Sequence, residues 1–180
     1  MRGVILITGI SAAGKSTVAQ RLAERLPRSA HVRGDVFRRM VVGGRAEMTP
    51  EADAEAVRQL HMRYRLAAAT ADTYCDAGFT AIVQDVVLGR DLQLFTEIIR
   101  SRPLYVIVLA PDPATVERRE TARAKTGYGS GWTISQLDAA LREETPRIGL
   151  WLDTSRQTPD ETIDEIISRA GEAQIAGAPE

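Results

Sequence analysis

The chain has 180 residues, of which 44% are hydrophobic and 26% are charged, and its formal net charge is −1. This length and composition predict one globular domain spanning residues 1–180. The small net charge gives no electrostatic argument for binding nucleic acid or an anionic membrane, and no apolar run approaches the roughly 20 residues that span a bilayer. We therefore expect neither nucleic acid nor a membrane as a partner.

Cysteine and histidine are too scarce to predict a disulfide framework or a metal cluster. The chain contains one cysteine, Cys75, and two histidines, His31 and His61, which lie far apart in sequence. A single cysteine forms no internal disulfide, so we expect Cys75 to be an inert thiol on the core face of a helix. The apolar stretch at the N-terminus is too short for a signal peptide, and we therefore expect a cytoplasmic protein.

Strand and helix patterns alternate along the chain. Apolar, β-branched runs predict five strands, at residues 4–8, 30–35, 79–87, 104–110 and 148–154. Helix patterns follow at residues 15–26, 36–42, 50–77, from 91, from 112, at 133–146 and from 158, and the tail 172–180 is expected to be loose. This alternation predicts an α/β fold with a five-stranded parallel sheet and helices on both faces.

Local capping signals predict where two of the helices begin. Thr49 as a cap, followed by Pro50 and an acid in the first turn, predicts the start of the long helix at residues 50–77. Thr158, followed by a proline and two acids, predicts the start of the last helix. Three isoleucines of that last helix are expected to face the core: Ile163, Ile166 and Ile167.

Residues 9–16 read GISAAGKS and fit the phosphate-binding pattern G-x-x-x-x-G-K-[ST] between a predicted strand and a predicted helix. Small residues let the backbone curl so that its amides face a polyphosphate, and the helix N-terminus adds positive potential. In this pattern Lys15 reaches the β and γ phosphates, and the hydroxyl of Ser16 is a ligand for Mg²⁺. The candidate nucleotide-binding residues are Gly9, Ser11, Ala12, Ala13, Gly14, Lys15, Ser16 and Thr17.

Two absences narrow the class of nucleotide-binding protein. The chain contains no asparagine, so it lacks the N-K-x-D signature of guanine-specific GTPases. The third predicted strand ends with a single acid, Asp85, whereas mechanical ATPases usually carry two adjacent acids there. These observations favour a kinase that uses ATP.

A kinase also needs a carboxylate near the γ phosphate to accept or align the proton of a hydroxyl group. Asp35 follows the second strand and is the candidate catalytic base; the alternative is a helix N-cap. Asp85 is a candidate ligand for Mg²⁺ through water, or for the substrate; the alternative is a turn acid. Arg38 is a candidate substrate contact, or a surface charge, and Arg63 is expected to be solvated.

Residues 115–132 are crowded with charge and then rich in glycine, which predicts an arginine-bearing lid with a glycine hinge. Arg119 and Arg123 lie four residues apart and are candidates for neutralising the transferred phosphoryl group. The alternative is a solvated helix whose acids and arginines pair locally.

Several segments together resemble the small P-loop kinases of the nucleotide and gluconate kinase type. They are VILITGISAAGKSTVAQRLAERLP, GDVFRR, VQDVV, the arginine-rich lid and LDTS…TPDETIDEI, covering roughly residues 3–170. Within that family the chain is most similar to the chloramphenicol phosphotransferase-like branch. The resemblance implies strand order 2-3-1-4-5, use of ATP with Mg²⁺, assistance by Asp35 to an acceptor hydroxyl, and a position near the adenine for Thr154 and Ser155.

The sequence thus predicts a P-loop NTPase fold and an ATP-dependent phosphotransferase for a small hydroxyl-bearing molecule, such as an antibiotic, a sugar or a metabolite. One alternative is a nucleotide-binding regulatory module with little turnover. Another is a zeta-toxin-like kinase that phosphorylates a nucleotide sugar.

Overall fold

The computed structural model describes residues 1–122, 128 and 131–175. It contains six strands: β1 (Val4–Thr8), β2 (Ser29–Arg33), β3 (Thr80–Gln84), β4 (Leu104–Leu109), β5 (Leu150–Leu152) and β6 (Gln174–Ile175). The first five pair in parallel in the order β2-β3-β1-β4-β5. The predicted parallel sheet and strand order are therefore confirmed.

The helices cover both faces of this sheet. They are α1 (Lys15–Arg25), α2 (Gly34–Met40), α3 (Ala54–Asp76), α4 (Asp91–Ile98), α5 (Pro113–Thr121), α6 (Ile134–Ala139), α7 (Pro159–Ser168) and α8 (Ala170–Ala173), and a π-helical turn at Ala140–Glu144 continues α6. Helix α1 packs against α7, and α3 packs against α4. Among the described residues, no helix combines the length and the apolar character that crossing a bilayer requires.

The central strands form the core. Every residue of β1, β3 and β4 is buried. Strands covered by helices on both faces have no solvent side, which explains why their sequences are continuously apolar rather than alternating. This rigid centre fixes the position of the loop that leaves β1.

The C-terminal segment completes one edge of the sheet, contrary to the expected loose tail. β5 is short and pairs only with Ile107–Leu109 of β4, while β6 runs antiparallel beside Leu104 and Tyr105. Ala173 is fully buried just before β6. The prediction of a loose tail is thus wrong for residues 172–175, and residues 176–180 lie outside the described part of the chain.

The start of the long helix also differs from the prediction. Helix α3 begins at Ala54, because the side chain of Asp53 accepts a hydrogen bond from the amide of Ala56 at 2.8 Å. Thr49 instead begins a turn, in which its carbonyl accepts from the amide of Ala52 at 3.1 Å. The acid nearest the helix, rather than the Thr–Pro pair upstream, supplies the cap.

Helix α7 begins as expected but orients one isoleucine outward. Thr158 and Glu161 form a reciprocal capping box. Ile163 and Ile166 are fully buried, whereas Ile167 is 43% exposed. The expectation that Ile167 faces the core is wrong, because adjacent helical residues point about 100° apart and only one of this pair can face the sheet.

The two orientations predict different costs of truncation. We expect Ile163→Ala to lower the free energy of unfolding by about 2–5 kcal/mol, because it leaves a cavity under α7. Ile167→Ala on the same helix is the matched control and should cost clearly less. Urea unfolding of both variants measures the difference, and equal losses would contradict the orientation of α7.

Candidate active site

The loop between β1 and α1 has an unusual backbone conformation. Gly9, Ala12 and Gly14 have φ values of +143°, +62° and +97°. A Cβ at Gly9 would lie 2.4 Å from the carbonyl oxygen of Leu109, so only glycine fits there. Ala12 adopts a left-handed conformation that a non-glycine residue rarely takes, and such strain is concentrated at functional loops.

The N-terminus of α1 is left open for an anion. Gly14 is the N-cap and has no side chain with which to satisfy the first amides, and the first turn contains no acid. These amides and the positive end of the helix dipole therefore face the crevice above the loop. This is the arrangement that a bound polyphosphate requires.

The predicted loop side chains occupy distinct environments. Lys15 is only 7% exposed, and its ammonium group donates to the carbonyl of Ile10 at 2.7 Å. Ser16 and Thr17 are exposed at the start of α1. Lys15 is thus held over the loop, and two hydroxyls are accessible beside it.

A crevice of about 940 Å³ lies above the carboxyl ends of the strands. This volume is near the upper limit of about 300–1,000 Å³ for small-molecule sites. The predicted residues that line it are Ser11, Ala12, Ala13, Gly14, Lys15, Ser16, Thr17, Asp35, Arg38, Asp85, Arg119 and Thr154. Because β1 is central, the loop divides the crevice into a side next to the ends of β2 and β3 and a side next to the ends of β4 and β5.

Asp35 lies in the first turn of α2 at the edge of this crevice. The N-cap of α2 is Arg33, and no side-chain cap bond is made, so the helix-cap explanation of Asp35 is wrong. Its carboxylate instead contacts the guanidinium of Arg39 at 3.1 Å and that of Arg33 at 3.7 Å. A charged carboxylate is therefore held beside the loop, close enough to the crevice to meet a second molecule.

Asp85 forms a buried ion pair that sequence reasoning missed. Its Oδ2 lies 2.9 Å from Nε of Arg63, and the side chains are 5% and 15% exposed. The contact is an ion pair rather than an aligned hydrogen bond. Burial raises the pKa of Asp85, and the charge of Arg63 opposes that rise. The expectation that Arg63 is solvated is therefore wrong.

The neighbours of this pair fix its position. Tyr64 donates to the carbonyl of Val86 at 3.0 Å and packs edge-on against Phe95, with ring centroids 5.4 Å apart. Gly34 adjoins the other side of Asp85: an added Cβ would lie 1.9 Å from Oδ2. In the Gly–Asp sequence at 34–35, the glycine therefore leaves room for the side chain of Asp85, and the aspartate places a carboxylate at the crevice.

Arg119 joins α5 to the phosphate loop. It donates to the carbonyl of Ala13 at 3.2 Å and to that of Thr154 at 2.8 Å. Ser155, by contrast, does not line the crevice; its hydroxyl accepts from the amide of Asp112 at 2.7 Å. Arg119 is thus a fixed cation near the loop in this structure.

The predicted lid is only partly described. Residues 123–127 and 129–130, which include the candidate Arg123, lie outside the described part of the chain. Tyr128 donates to the carbonyl of Ser11 at 2.9 Å, and Trp132 donates to that of Met48 at 2.9 Å. Both ends of the glycine-rich stretch therefore contact the walls of the crevice, and closure of a lid stays a prediction.

The fold and the loop together define a P-loop, kinase-like architecture. The chain belongs to the AAA_33 family, described as an AAA domain, whose sequence profile matches residues 4–146. No curated protein matches the sequence.

Three solved structures share the fold. A sugar kinase from Janibacter sp. HTCC2649 has a TM-score of 0.68 and 20% identity, with 96% of each chain covered. The tunicamycin resistance protein of Deinococcus radiodurans has a TM-score of 0.66 and 16% identity, covering 98% of this chain and 100% of that one. The APS kinase of Mycobacterium tuberculosis, solved with AMPPNP and APS, has a TM-score of 0.66 and 18% identity, covering 93% and 96%.

The close approach at Gly34 predicts a specific sensitivity. We expect Gly34→Ala to lower the free energy of unfolding by about 1–3 kcal/mol, because its Cβ would overlap the Asp85 carboxylate. Gly43→Ala is the matched control, since a Cβ there meets nothing within 4 Å. Thermal and urea unfolding measure both, and a Gly34→Ala variant as stable as the control would contradict the packing.

Proposed function

We propose that this protein is an ATP-dependent phosphotransferase that moves the γ phosphate of Mg·ATP to a hydroxyl group of a small molecule. The observation that carries the proposal is the presence of the open α1 N-terminus and the Asp35 carboxylate in one crevice. The first feature suits a polyphosphate, and the second suits a hydroxyl group that must lose a proton. The kinase-fold neighbours support a nucleotide-dependent phosphotransferase.

The nucleotide would bind on the side of the crevice next to the ends of β4 and β5. The amides in the first turn of α1 would bind the phosphate oxygens, and Lys15 would neutralise the β and γ phosphates. Arg119 would add positive charge beside Ala13. The adenine of ATP would lie near Thr154. This residue is 1% exposed, and its buried hydroxyl has no hydrogen-bond partner among the described residues.

The fit for Mg²⁺ depends chiefly on Ser16. Among the described residues, no group of three or more His, Cys, Asp or Glu side chains could hold a metal ion on its own. Mg²⁺ bound to a nucleotide keeps several waters and takes few protein ligands, so the Ser16 hydroxyl with the phosphates suffices. Asp85 would act through water, since Arg63 already contacts its carboxylate. The ion would neutralise charge on the phosphates.

The acceptor would bind on the other side of the crevice, next to the ends of β2 and β3. Asp35 would orient its hydroxyl and accept the proton as the oxygen forms a bond to the γ phosphorus. The bond from that phosphorus to the bridging oxygen breaks, and ADP leaves. Lys15 and Arg119 stabilise the negative charge that develops on the transferred group, and Arg38 would contact the acceptor.

Antibiotics, sugars and other hydroxylated metabolites are all acceptors that this chemistry allows. The chloramphenicol phosphotransferase-like branch stays a prediction from sequence resemblance. The tunicamycin resistance protein and the sugar kinase share the fold at 16% and 20% identity, which is compatible with either kind of acceptor. A regulatory module with little turnover is the competing function.

Two substitutions separate nucleotide binding from transfer. We expect Lys15→Ala to abolish transfer and weaken ATP binding, because it removes the cation held over the loop. Asp35→Asn should keep ATP binding but lower turnover by about 10²–10⁴-fold, the usual contribution of a general base. Asp76→Asn, at an exposed ion pair with Arg100, is the control and should change neither.

The measurement is ADP release with a panel of hydroxylated acceptors, alongside calorimetry of ATP binding. Stimulation of ADP release by an acceptor supports the kinase. Full turnover in Asp35→Asn would refute the assigned base, and negligible turnover with every acceptor would favour the regulatory module.

A further inference from the structure

We propose that the acceptor is an uncharged hydroxyl compound with an apolar face, rather than a phosphorylated or carboxylated one. The inference rests on the proposed function, because it concerns the side of the same crevice that faces Asp35. Two features of that side carry it, an apolar wall and a set of internally neutralised charges.

The wall on the β2 and β3 side of the crevice combines apolar and charged residues. Its apolar lining residues are Met48, Leu60, Tyr64, Val86, Leu88 and Trp132. They come from the segment before α3, from α3 itself, from the segment after β3 and from the start of the α6 region. A wall assembled from four separate segments surrounds a bound molecule rather than touching one edge of it.

The two aromatic residues of this wall have already used their polar groups. The indole N–H of Trp132 donates to the carbonyl of Met48, and the hydroxyl of Tyr64 donates to the carbonyl of Val86. Neither donor is therefore available to a ligand, and because Tyr64 is only 2% exposed, it is the half-buried ring of Trp132 that offers hydrocarbon surface. Such surface contributes about 25 cal/mol for each Å² of apolar ligand area that it buries.

The basic residues of the same wall are each paired with an acid. Arg33 lies 3.7 Å from Asp35, and Arg63 lies 2.9 Å from Asp85. Arg38 contacts Glu47, whose other oxygen lies 3.3 Å from Arg45. Each of the three lining arginines therefore contacts a carboxylate of the wall, although Asp35 also contacts Arg39 and Glu47 also contacts Arg45.

An anionic acceptor would find poor complementarity here. Its charge would compete with Glu47 and Asp85 for the arginines, and it would approach the Asp35 carboxylate that must receive the hydroxyl proton. Lys15 and Arg119 lie on the phosphate loop, where the nucleotide would occupy them. An anion placed beside the Asp35 carboxylate would meet a like charge, so a neutral acceptor is selected partly by repulsion.

Three glycosides differ by one feature each and serve as probes. Phenyl β-D-glucoside is neutral with an apolar ring, phenyl β-D-glucuronide carries the same ring and a carboxylate, and methyl β-D-glucoside is neutral without the ring.

The chain has two tryptophans, Trp132 and Trp151. Trp151 does not line the crevice and stacks under Arg147 at 4.0 Å, so Trp151→Phe leaves Trp132 as a reporter of the acceptor wall.

The experiment titrates each glycoside into the Trp151→Phe protein with Mg²⁺ and AMPPNP, and follows the fluorescence of Trp132. We expect phenyl β-D-glucoside to bind at least about tenfold more tightly than either other probe, a difference of about 1.4 kcal/mol. Equal or tighter binding of the glucuronide, equal binding of the methyl glycoside, or no binding of phenyl β-D-glucoside would overturn the proposal.

A charge variant tests the neutralisation directly. Glu47→Gln removes the partner of Arg38 and should strengthen glucuronide binding by about two- to fivefold, as expected for a partly exposed pair. An unchanged glucuronide affinity would contradict the role of the pair. This titration measures binding with AMPPNP, whereas ADP release is measured separately with ATP. Selective binding of the neutral probe with no ADP release would therefore refute the phosphotransferase but support the proposed ligand class.

Discussion

The open amide cluster at the start of α1 is the constraint on which the rest of this structure depends. Gly9 and Gly14 allow the chain to turn sharply between a buried strand and a helix with one buried face, and Ala12 accepts a strained conformation between them. Folding thus leaves the first turn of α1 without a capping side chain. Under the proposed function, a bound polyphosphate would supply acceptors to the amides of this turn, which gives the strained loop a role in binding.

The sheet order explains why that loop has two different neighbours. With β1 central, β2 and β3 place Asp35, Asp85 and the apolar wall on one side, and β4 and β5 place Arg119 and Thr154 on the other. Arg119 is held by two backbone carbonyls, and Asp85 is held by the largely buried Arg63. A bimolecular reaction needs such fixed placement, because most of its entropic barrier is then removed by the fold.

Local sequence signals predicted the parts of the site that depend on neighbouring residues. The phosphate loop is encoded within eight positions, and the capping box at Thr158 lies within four. The strand order came from a resemblance. The helix start at Asp53 was missed because two capping signals lie close together and propensity alone does not rank them.

Contacts between distant residues could not be predicted in this way. Arg63 and Asp85 lie on different elements, and nothing in the local sequence of α3 distinguishes Arg63 from its solvated neighbours. The same is true of Arg119, which contacts Ala13 and Thr154, and of β6, which adds to an edge that β5 leaves open.

Calorimetric titration with AMP, ADP and ATP in the presence of Mg²⁺ tests the central claim most directly. If the amides around Lys15 bind the β and γ phosphates, ATP should bind with one-to-one stoichiometry and at least about 100-fold more tightly than AMP. AMP binding as tightly as ATP, or an absence of heat with ATP, would contradict the account.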